Sequence, residues 1–226
     1  MSNIYLIRHG FTPANNASYN NQTGLRAISE DKNMPLEKKY GVKQAKELGA
    51  FLSTLTGNCK IFVSPYKRAK ETLEIALEYL NCNYDIEEVN ELHEIYSDIH
   101  YAKTKTELLN EHPEASKFFE DFKKDPYNTK YIGGESKNDV NNRVKNISQK
   151  IKDLSENNKY ENILIFAHGE VNKWVYYNIN NELFDYSQKN CEVIMANGKD
   201  KGKSVFVPQT IVPLGYYINI NDYVKK

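Results

Sequence analysis

Two apolar runs in this chain end on the same dipeptide. Ile4-Tyr5-Leu6-Ile7 leads into Arg8-His9-Gly10, and Ile163-Leu164-Ile165-Phe166-Ala167 leads into His168-Gly169. A short run that is apolar at every position reads as a buried strand, and open α/β sheets keep their ligands at the carboxyl ends of such strands. The two histidines are therefore expected at one site. Each is followed by a glycine, which can turn sharply and let the backbone approach a ligand.

The rest of the chain alternates strands and helices. Val42, Ala45, Leu48, Leu52 and Leu55 recur every three or four residues, which predicts an amphipathic helix stopped at Gly57-Asn58. Lys60 to Val63 form a second strand running into Ser64-Pro65, and a helix with Ala69, Leu73, Ala76 and Leu80 on one face follows. Arg68 falls in its first turn, where free N–H groups and the helix dipole favour an anion. Tyr84 to Val89 read as a weaker strand, Ser136 as the N-cap of a helix bearing Val140, Val144, Ile147, Ile151 and Leu154, and Asn162 to Ala167 as the strand that delivers His168. Val171 to Asn180 continue as helix. Cys191 to Ala196 and Tyr216 to Ile220 read as two further strands, with a Lys/Gly turn at 197–203 after the first. This order predicts a single α/β domain over 1–226, a three-layer sandwich with a mainly parallel central sheet. Two stretches break the pattern: an Asn-rich loop at 13–35, and residues 98–132, taken as a small helical cap insertion built from segments at Thr104–His112 and Glu114–Lys124.

Charge narrows the partners. The 30 basic and 30 acidic residues cancel, so no overall field draws in nucleic acid or anionic lipid, and anion binding has to be local. Only four of the basic residues are arginines, namely Arg8, Arg26, Arg68 and Arg143. In so lysine-rich a chain, arginine is expected where a planar fork that grips phosphate or carboxylate cannot be replaced by a point charge. Arg8 and Arg68 sit where the pattern places a site, Arg143 is assigned a structural role, and Arg26 lies in the Asn-rich loop. The three cysteines, Cys59, Cys82 and Cys191, are odd in number and widely spaced, which speaks against a disulfide framework and fits a reducing compartment. The N-terminal segment lacks the basic and apolar regions of a signal peptide, and no apolar run approaches the ~20 residues of a membrane span. The expectation is a soluble, cytoplasmic protein.

If Arg8, His9, Arg68, Glu94 and His168 converge, they can transfer a phosphoryl group. Such transfer is catalysed by positioning and by donors aimed at the equatorial oxygens, which two arginines and a second histidine supply. A neutral His9 has a nucleophilic ring nitrogen when the other nitrogen is held as a donor. A carboxylic acid at Glu94 protonates the departing alkoxide and then, as carboxylate, takes a proton from the hydrolytic water. No metal or cofactor is required.

Arg8-His9-Gly10-Phe11-Thr12-Pro13-Ala14-Asn15 resembles the Arg-His-Gly-x-Thr-x-x-Asn opening of the histidine phosphatase superfamily, which includes the cofactor-dependent phosphoglycerate mutases. Pro35-Leu36 with Gly41 and Gln44-Ala45, the run Ser64-Pro65-Tyr66-Lys67-Arg68-Ala69-Lys70-Glu71-Thr72, Gly134-Glu135-Ser136 with Arg143, and Ala167-His168-Gly169 follow in the family's order across residues 3 to 175. The resemblance implies that His9 is the phosphorylated histidine, that Arg8, Arg68 and His168 form the phosphate pocket, and that Glu94 is the acid. The glycine-rich stretch expected after that acid is replaced by Ile95-Tyr96-Ser97-Asp98, which keeps Glu91 and Asp98 as alternatives. Thr12, Asn15, Gln22, Gly169 and Glu170 are the expected substrate contacts. Glu170 departs from the small residue expected there and puts a carboxylate beside a pocket meant for a dianion.

The leading reading is a metal-independent phosphatase of the histidine acid phosphatase type, acting on a small phosphorylated metabolite, with no nucleic-acid or membrane partner and with oligomeric state open. A phosphoglycerate mutase is the nearest rival; Thr12 and Ala14 stand where mutases carry Ser and Trp. A phosphate-ester binding protein with weakened turnover is the third. A two-histidine metallohydrolase ranks last, because neither His-Gly has a nearby His/Asp/Glu cluster at metal-ligand spacing. The tyrosines at 19, 96, 101, 127 and 131 are assigned to packing ahead of ligand stacking.

Overall fold

Ile4 and Leu6 project to one side of β1 (Asn3–Arg8) and Tyr5 and Ile7 to the other, and all four are buried, so β1 is a strand covered on both faces. The computed structural model describes residues 1–15, 32–97, 109–184, 186–213, 215–216 and 218. β1 is central in a six-stranded sheet with β2 (Cys59–Val63), β3 (Tyr84–Glu88), β4 (Asn162–Ala167), β5 (Val193–Met195) and β6 (Ser204–Phe206), in the order β3-β2-β4-β1-β5-β6. The first four are mutually parallel where they pair, and β5 and β6 run antiparallel at one edge.

Helices close both faces. α1 (Tyr40–Leu52) and α2 (Lys67–Leu77) cover the side bearing Tyr5, Ile7, Ile61 and Phe166, through Ala45, Leu48, Ala69 and Leu73. α4 (Lys137–Glu156) and α5 (Gly169–Asn180) cover the side bearing Leu6, Phe62 and Ile165, through Val144, Ile151, Val171 and Val175. Full burial of each Val, Leu, Ile or Phe side chain among these stabilises the fold by roughly 1.5–3 kcal/mol. Ser136 caps α4 as expected: its hydroxyl accepts from Asp139 N at 3.1 Å, and the Asp139 carboxylate accepts from Ser136 N at 2.9 Å. Before it, a Cβ on Gly134 would lie 1.9 Å from the Tyr96 carbonyl oxygen, so only glycine lets these two backbones touch.

The antiparallel edge differs from expectation. The hairpin turns at the predicted Lys/Gly stretch, but its second arm is β6 at 204–206; Tyr216 is not in a strand, and most of 217–220 lies outside the described residues. A three-residue edge arm exposed on one side leaves too little apolar alternation to read. Of the expected insertion, residues 98–108, and so most of the Thr104–His112 segment, lie outside the described residues. The described part holds α3 (Ala115–Lys124), where Phe118, Phe122 and Tyr131 pack ring to ring at 5.4–5.7 Å. No helix among the described residues is long and apolar enough to cross a membrane.

Candidate active site

Parallel pairing sets Arg8 against Ala167, so the residues that follow, His9 and His168, leave neighbouring strands side by side. His9 N donates to the Ala167 carbonyl (3.1 Å), and the two rings lie 5.1 Å apart between centroids. His9 is 3% exposed and His168 not at all. The shared ends of two strands thus bring together two histidines 159 residues apart in sequence.

His9 Nδ1 lies 2.8 Å from the Gly10 carbonyl oxygen. A carbonyl can only accept, so Nδ1 carries the proton and Nε2 keeps its lone pair. The loop that holds this geometry is clamped from both helices of its face. Gly10 N donates to Thr72 Oγ1 (2.9 Å), which itself donates to the Arg68 carbonyl one turn earlier on α2 (2.6 Å). Phe11 N donates to Gln44 Oε1 of α1 (2.9 Å), and a Cβ on Gly41 would lie 2.1 Å from the Phe11 carbonyl oxygen. Gly10 and Gly169 do not play the turning role expected of them, since neither has a positive φ. Gly10 is needed for space against the Gly41 carbonyl, 3.0 Å from where a Cβ would stand, and Gly169 simply opens α5 beside the Arg8 side chain.

Ser64, which follows β2, was not among the expected site residues. Its Oγ lies 2.9 Å from His168 Nε2 and accepts from Tyr66 N (3.3 Å). His168 Nδ1, facing the opposite way, is buried with no hydrogen-bond partner among the described residues. Tyr66 is the second addition: its ring lies 4.9 Å below the Arg68 guanidinium and meets the His168 ring edge-on at 5.3 Å. Arg68 itself is 2% exposed. Arg8 donates through a terminal nitrogen to the Gln188 carbonyl (2.5 Å). Gln188 and Asn190, both buried, brace this end of β1: Gln188 Nε2 donates to the Leu6 and Glu192 carbonyls, and Asn190 Nδ2 to the His9 carbonyl. Burial first, and then Arg68, holds both imidazoles neutral, with their pKa values well below the usual histidine range.

Of the two acid candidates within the described residues, Glu94 reaches this group and Glu91 does not. Glu94 Oε2 lies 4.0 Å from His168 Nδ1, and its Oε1 accepts from Ile95 N at 2.9 Å. Burial raises its pKa, and nearby Glu170 raises it further, against opposing pulls from the Ile95 N–H, Arg68 and Arg8. Glu91 is exposed, and Asp98 lies outside the described residues. Arg143 of α4 has the structural role expected of it: it pairs with Glu135 through Nε (2.7 Å) and donates to the Glu91 and His93 carbonyls, pinning the turn just before Glu94.

Beside Arg8 and Glu94 opens a cleft of about 310 Å3, also lined by Gly169, Glu170, Lys173, Tyr186 and Gln188. Glu170 Oε1 accepts from the Trp174 indole N–H at 3.0 Å, which holds the carboxylate at the cleft wall. A larger hollow of about 500 Å3, lined by Asn3, Thr56, Tyr160 and Asn162, lies at the other end of the sheet, away from both histidines. Thr12 and Asn15 bond each other: Asn15 Oδ1 accepts from Thr12 N, Thr12 Oγ1 and Asn190 Nδ2 at 3.0–3.1 Å. They build the loop beyond His9. Gln22, Arg26, Tyr19 and Tyr101 lie outside the described residues. No group of three or more His, Cys, Asp or Glu side chains suited to a metal ion occurs among the described residues.

A family model described as histidine phosphatase superfamily (branch 1) matches residues 4–207. Among solved structures, the chain is similar to α-ribazole phosphatase from Shigella flexneri (21% identity, 96% of this chain and 100% of that one, TM-score 0.61). It is also similar to mycobacterial glucosyl-3-phosphoglycerate phosphatase complexed with VO3 (17%, 86% and 90%, 0.61). A third similar structure is phosphoglycerate mutase from Bacillus anthracis (20%, 89% and 92%, 0.60). No curated protein matches. The structural likenesses at these identities carry the fold.

Proposed function

The chain belongs to the histidine phosphatase superfamily, and from its site we propose a metal-independent phosphomonoesterase that hydrolyses a small phosphorylated metabolite through a phosphohistidine at His9. The observation that carries this reading is the 2.8 Å contact from His9 Nδ1 to its neighbour's carbonyl, which leaves Nε2 as a lone-pair nucleophile, with the His168 ring 5.1 Å away and Arg68 and Arg8 close enough to lower the imidazole pKa. In the first step Nε2 attacks phosphorus while the bond to the alcohol oxygen breaks, and Glu94 gives that oxygen its proton. The raised pKa of Glu94 suits it to carry a proton there. In the second step the Glu94 carboxylate takes a proton from water, the water oxygen bonds to phosphorus, the P–N bond breaks and inorganic phosphate leaves. The Ser64 hydroxyl directs its proton to His168 Nε2, so that the Nδ1 proton of His168 points at a phosphoryl oxygen and joins the two guanidinium forks in holding the charge. The same reading keeps the protein cytoplasmic, with a small soluble metabolite as partner and neither nucleic acid nor membrane.

The test is phosphate release from sugar phosphates, nucleotides, phosphoglycerates and an aryl phosphate, with a chelator present, for the native protein and His9→Ala. Release that His9→Ala abolishes supports the reading, as does a phosphoenzyme trapped only in the native protein. Isomerisation of 3-phosphoglycerate faster than phosphate release replaces it with the mutase. Tight binding of phosphate esters with no turnover replaces it with a binding protein.

A further inference from the structure

We propose that Cys59 and Cys82 form an oxidisable dithiol, which a low-molecular-weight disulfide converts into an intramolecular disulfide at the end of the sheet away from the histidines. The sequence separates the two by 22 residues, but the fold returns them to each other. Cys59 opens β2, and Cys82 lies two residues before Tyr84, the residue on β3 paired with Cys59. Cys59 N donates to the Asn83 carbonyl (2.9 Å), which fixes the two backbones. The Sγ atoms are 3.1 Å apart and both thiols are free. A disulfide needs about 2.05 Å, so the two sulfurs have roughly 1 Å left to close.

The accessibility of the two thiols sets the order of events. Cys59 is fully buried and Cys82 only partly. The Cys82 thiolate attacks one sulfur of the small disulfide, forming a mixed disulfide and releasing one small thiolate. Cys59 then attacks the Cys82 sulfur, the protein disulfide forms, and the second small thiolate leaves with the proton from Cys59; two protein thiols are oxidised as one small disulfide is reduced to two thiols. Burial pushes the Cys59 thiol up to about 12, and the neighbouring Cys82 adds to this, a contribution that vanishes once Cys82 is in a neutral mixed disulfide. Asn162 Nδ2, 4.0 Å from the Cys59 sulfur, favours the thiolate. Cys191 is fully buried beside Gly10 and stays outside this chemistry.

The experiment incubates the full chain with oxidised glutathione, then measures intact mass, thiols titrated in denaturant, non-reducing peptide maps and thermal unfolding. The expected result is a mass loss of two hydrogens, a fall from three titratable thiols to one, a Cys59–Cys82 linked peptide, and a Tm raised by about 5–10 °C that a reductant reverses. Cys82→Ser keeps its remaining thiols and its Tm. Three free thiols after incubation, a mixed disulfide on Cys82 that never closes, or a linkage through Cys191 would overturn the proposal. Phosphate-ester hydrolysis plays no part in any of these readouts, so the inference stands or falls apart from the proposed activity.

Discussion

Glu94 Oε2 faces Nδ1 of His168 across 4.0 Å, a partly buried carboxyl beside a fully buried imidazole, and the surroundings of each disfavour its charged form. The carboxyl pKa is raised and the imidazole pKa lowered, both chiefly by burial. On the proposed mechanism, a phosphate ester bound beside this pair supplies the negative charge that His168, Arg8 and Arg68 meet, and the carboxyl gives up a proton.

On the proposed mechanism this pairing sets the pH dependence of turnover. His9 must be neutral to attack, and its lowered pKa keeps it so well below pH 6.5; Glu94 must be protonated to assist departure, and that form is lost as pH rises through its raised pKa. For an alkyl phosphate, kcat/KM is expected to peak on the acidic side of neutral and fall toward alkaline pH. Glu94→Gln should lower it by about 10²–10⁴-fold and remove the dependence on that carboxyl. An aryl phosphate, whose leaving group needs no proton, should lose much less. Equal losses on both substrates, or the same pattern from Glu91→Gln instead, would remove Glu94 from the role of acid.

The same ionisations govern stability, with opposite signs. Below about pH 6.5 an unfolded histidine takes up a proton while native His9 and His168 resist, so the unfolded state binds more protons and stability falls with acid. For Glu94 the native carboxyl holds its proton at pH values where the unfolded one has released it, so stability is lost as pH rises from the ordinary carboxyl range through its folded pKa. At pH 7.5 Glu94→Gln is therefore expected to raise Tm, and His9→Gln to flatten the decline between pH 7 and pH 5. Thermal unfolding across that range reads both. A Glu94→Gln protein that melts lower at pH 7.5 would mean that Arg68 and Arg8 need this carboxylate more than burial penalises it.

Arg143 acts on the same carboxyl from a distance. Its guanidinium holds Glu135 and the carbonyls of Glu91 and His93, so the turn that presents Glu94 is tied to α4. Arg143→Ala should lower kcat on an alkyl phosphate about 10–100-fold through misplacement of the acid, and leave inhibition by inorganic phosphate unchanged because the anion-holding side chains are untouched. Arg143→Lys, with charge but no fork, should fall between. A matching loss of phosphate affinity would assign Arg143 to the pocket instead.

Strands β1 and β4 were readable because a strand buried on both faces is apolar at every position, and their registered ends made His9 and His168 neighbours without further information. Arg68 was readable from its place in a helix's first turn, and Ser136 from local capping chemistry. Ser64, Tyr66, Gln188 and Asn190 were not, since each reaches the site through a contact to a backbone or ring far away in the chain, and no spacing records such a contact. Asn190 reaches the His9 carbonyl across 181 residues. The approach of Cys59 to Cys82 depends on parallel pairing of β2 with β3, which counting cysteines cannot supply. Separating Glu94 from Glu91 required knowing which way a single turn faces, and Asp98 lies outside the described residues.

Glu170 is one place where this chain departs from what its motifs imply, and its geometry gives the departure a consequence. The Trp174 indole N–H is buried and needs an acceptor, and Glu170 supplies one from the preceding turn of α5. That bond fixes a carboxylate in the cleft wall with Arg8, Glu94 and Lys173. A leaving group with a hydroxyl there can donate to Glu170, whereas one with a carboxylate meets a like charge. Glycerol phosphate and 3-phosphoglycerate differ in this respect alone at the carbon far from the ester, so they form the comparison. The native protein is expected to favour glycerol phosphate. Glu170→Gln, which keeps an acceptor for the indole but removes the charge, should raise kcat/KM for 3-phosphoglycerate about 10-fold relative to glycerol phosphate. If the ratio is the same in both proteins, Glu170 serves Trp174 alone, and Lys173 becomes the residue to substitute in the search for what selects the alcohol.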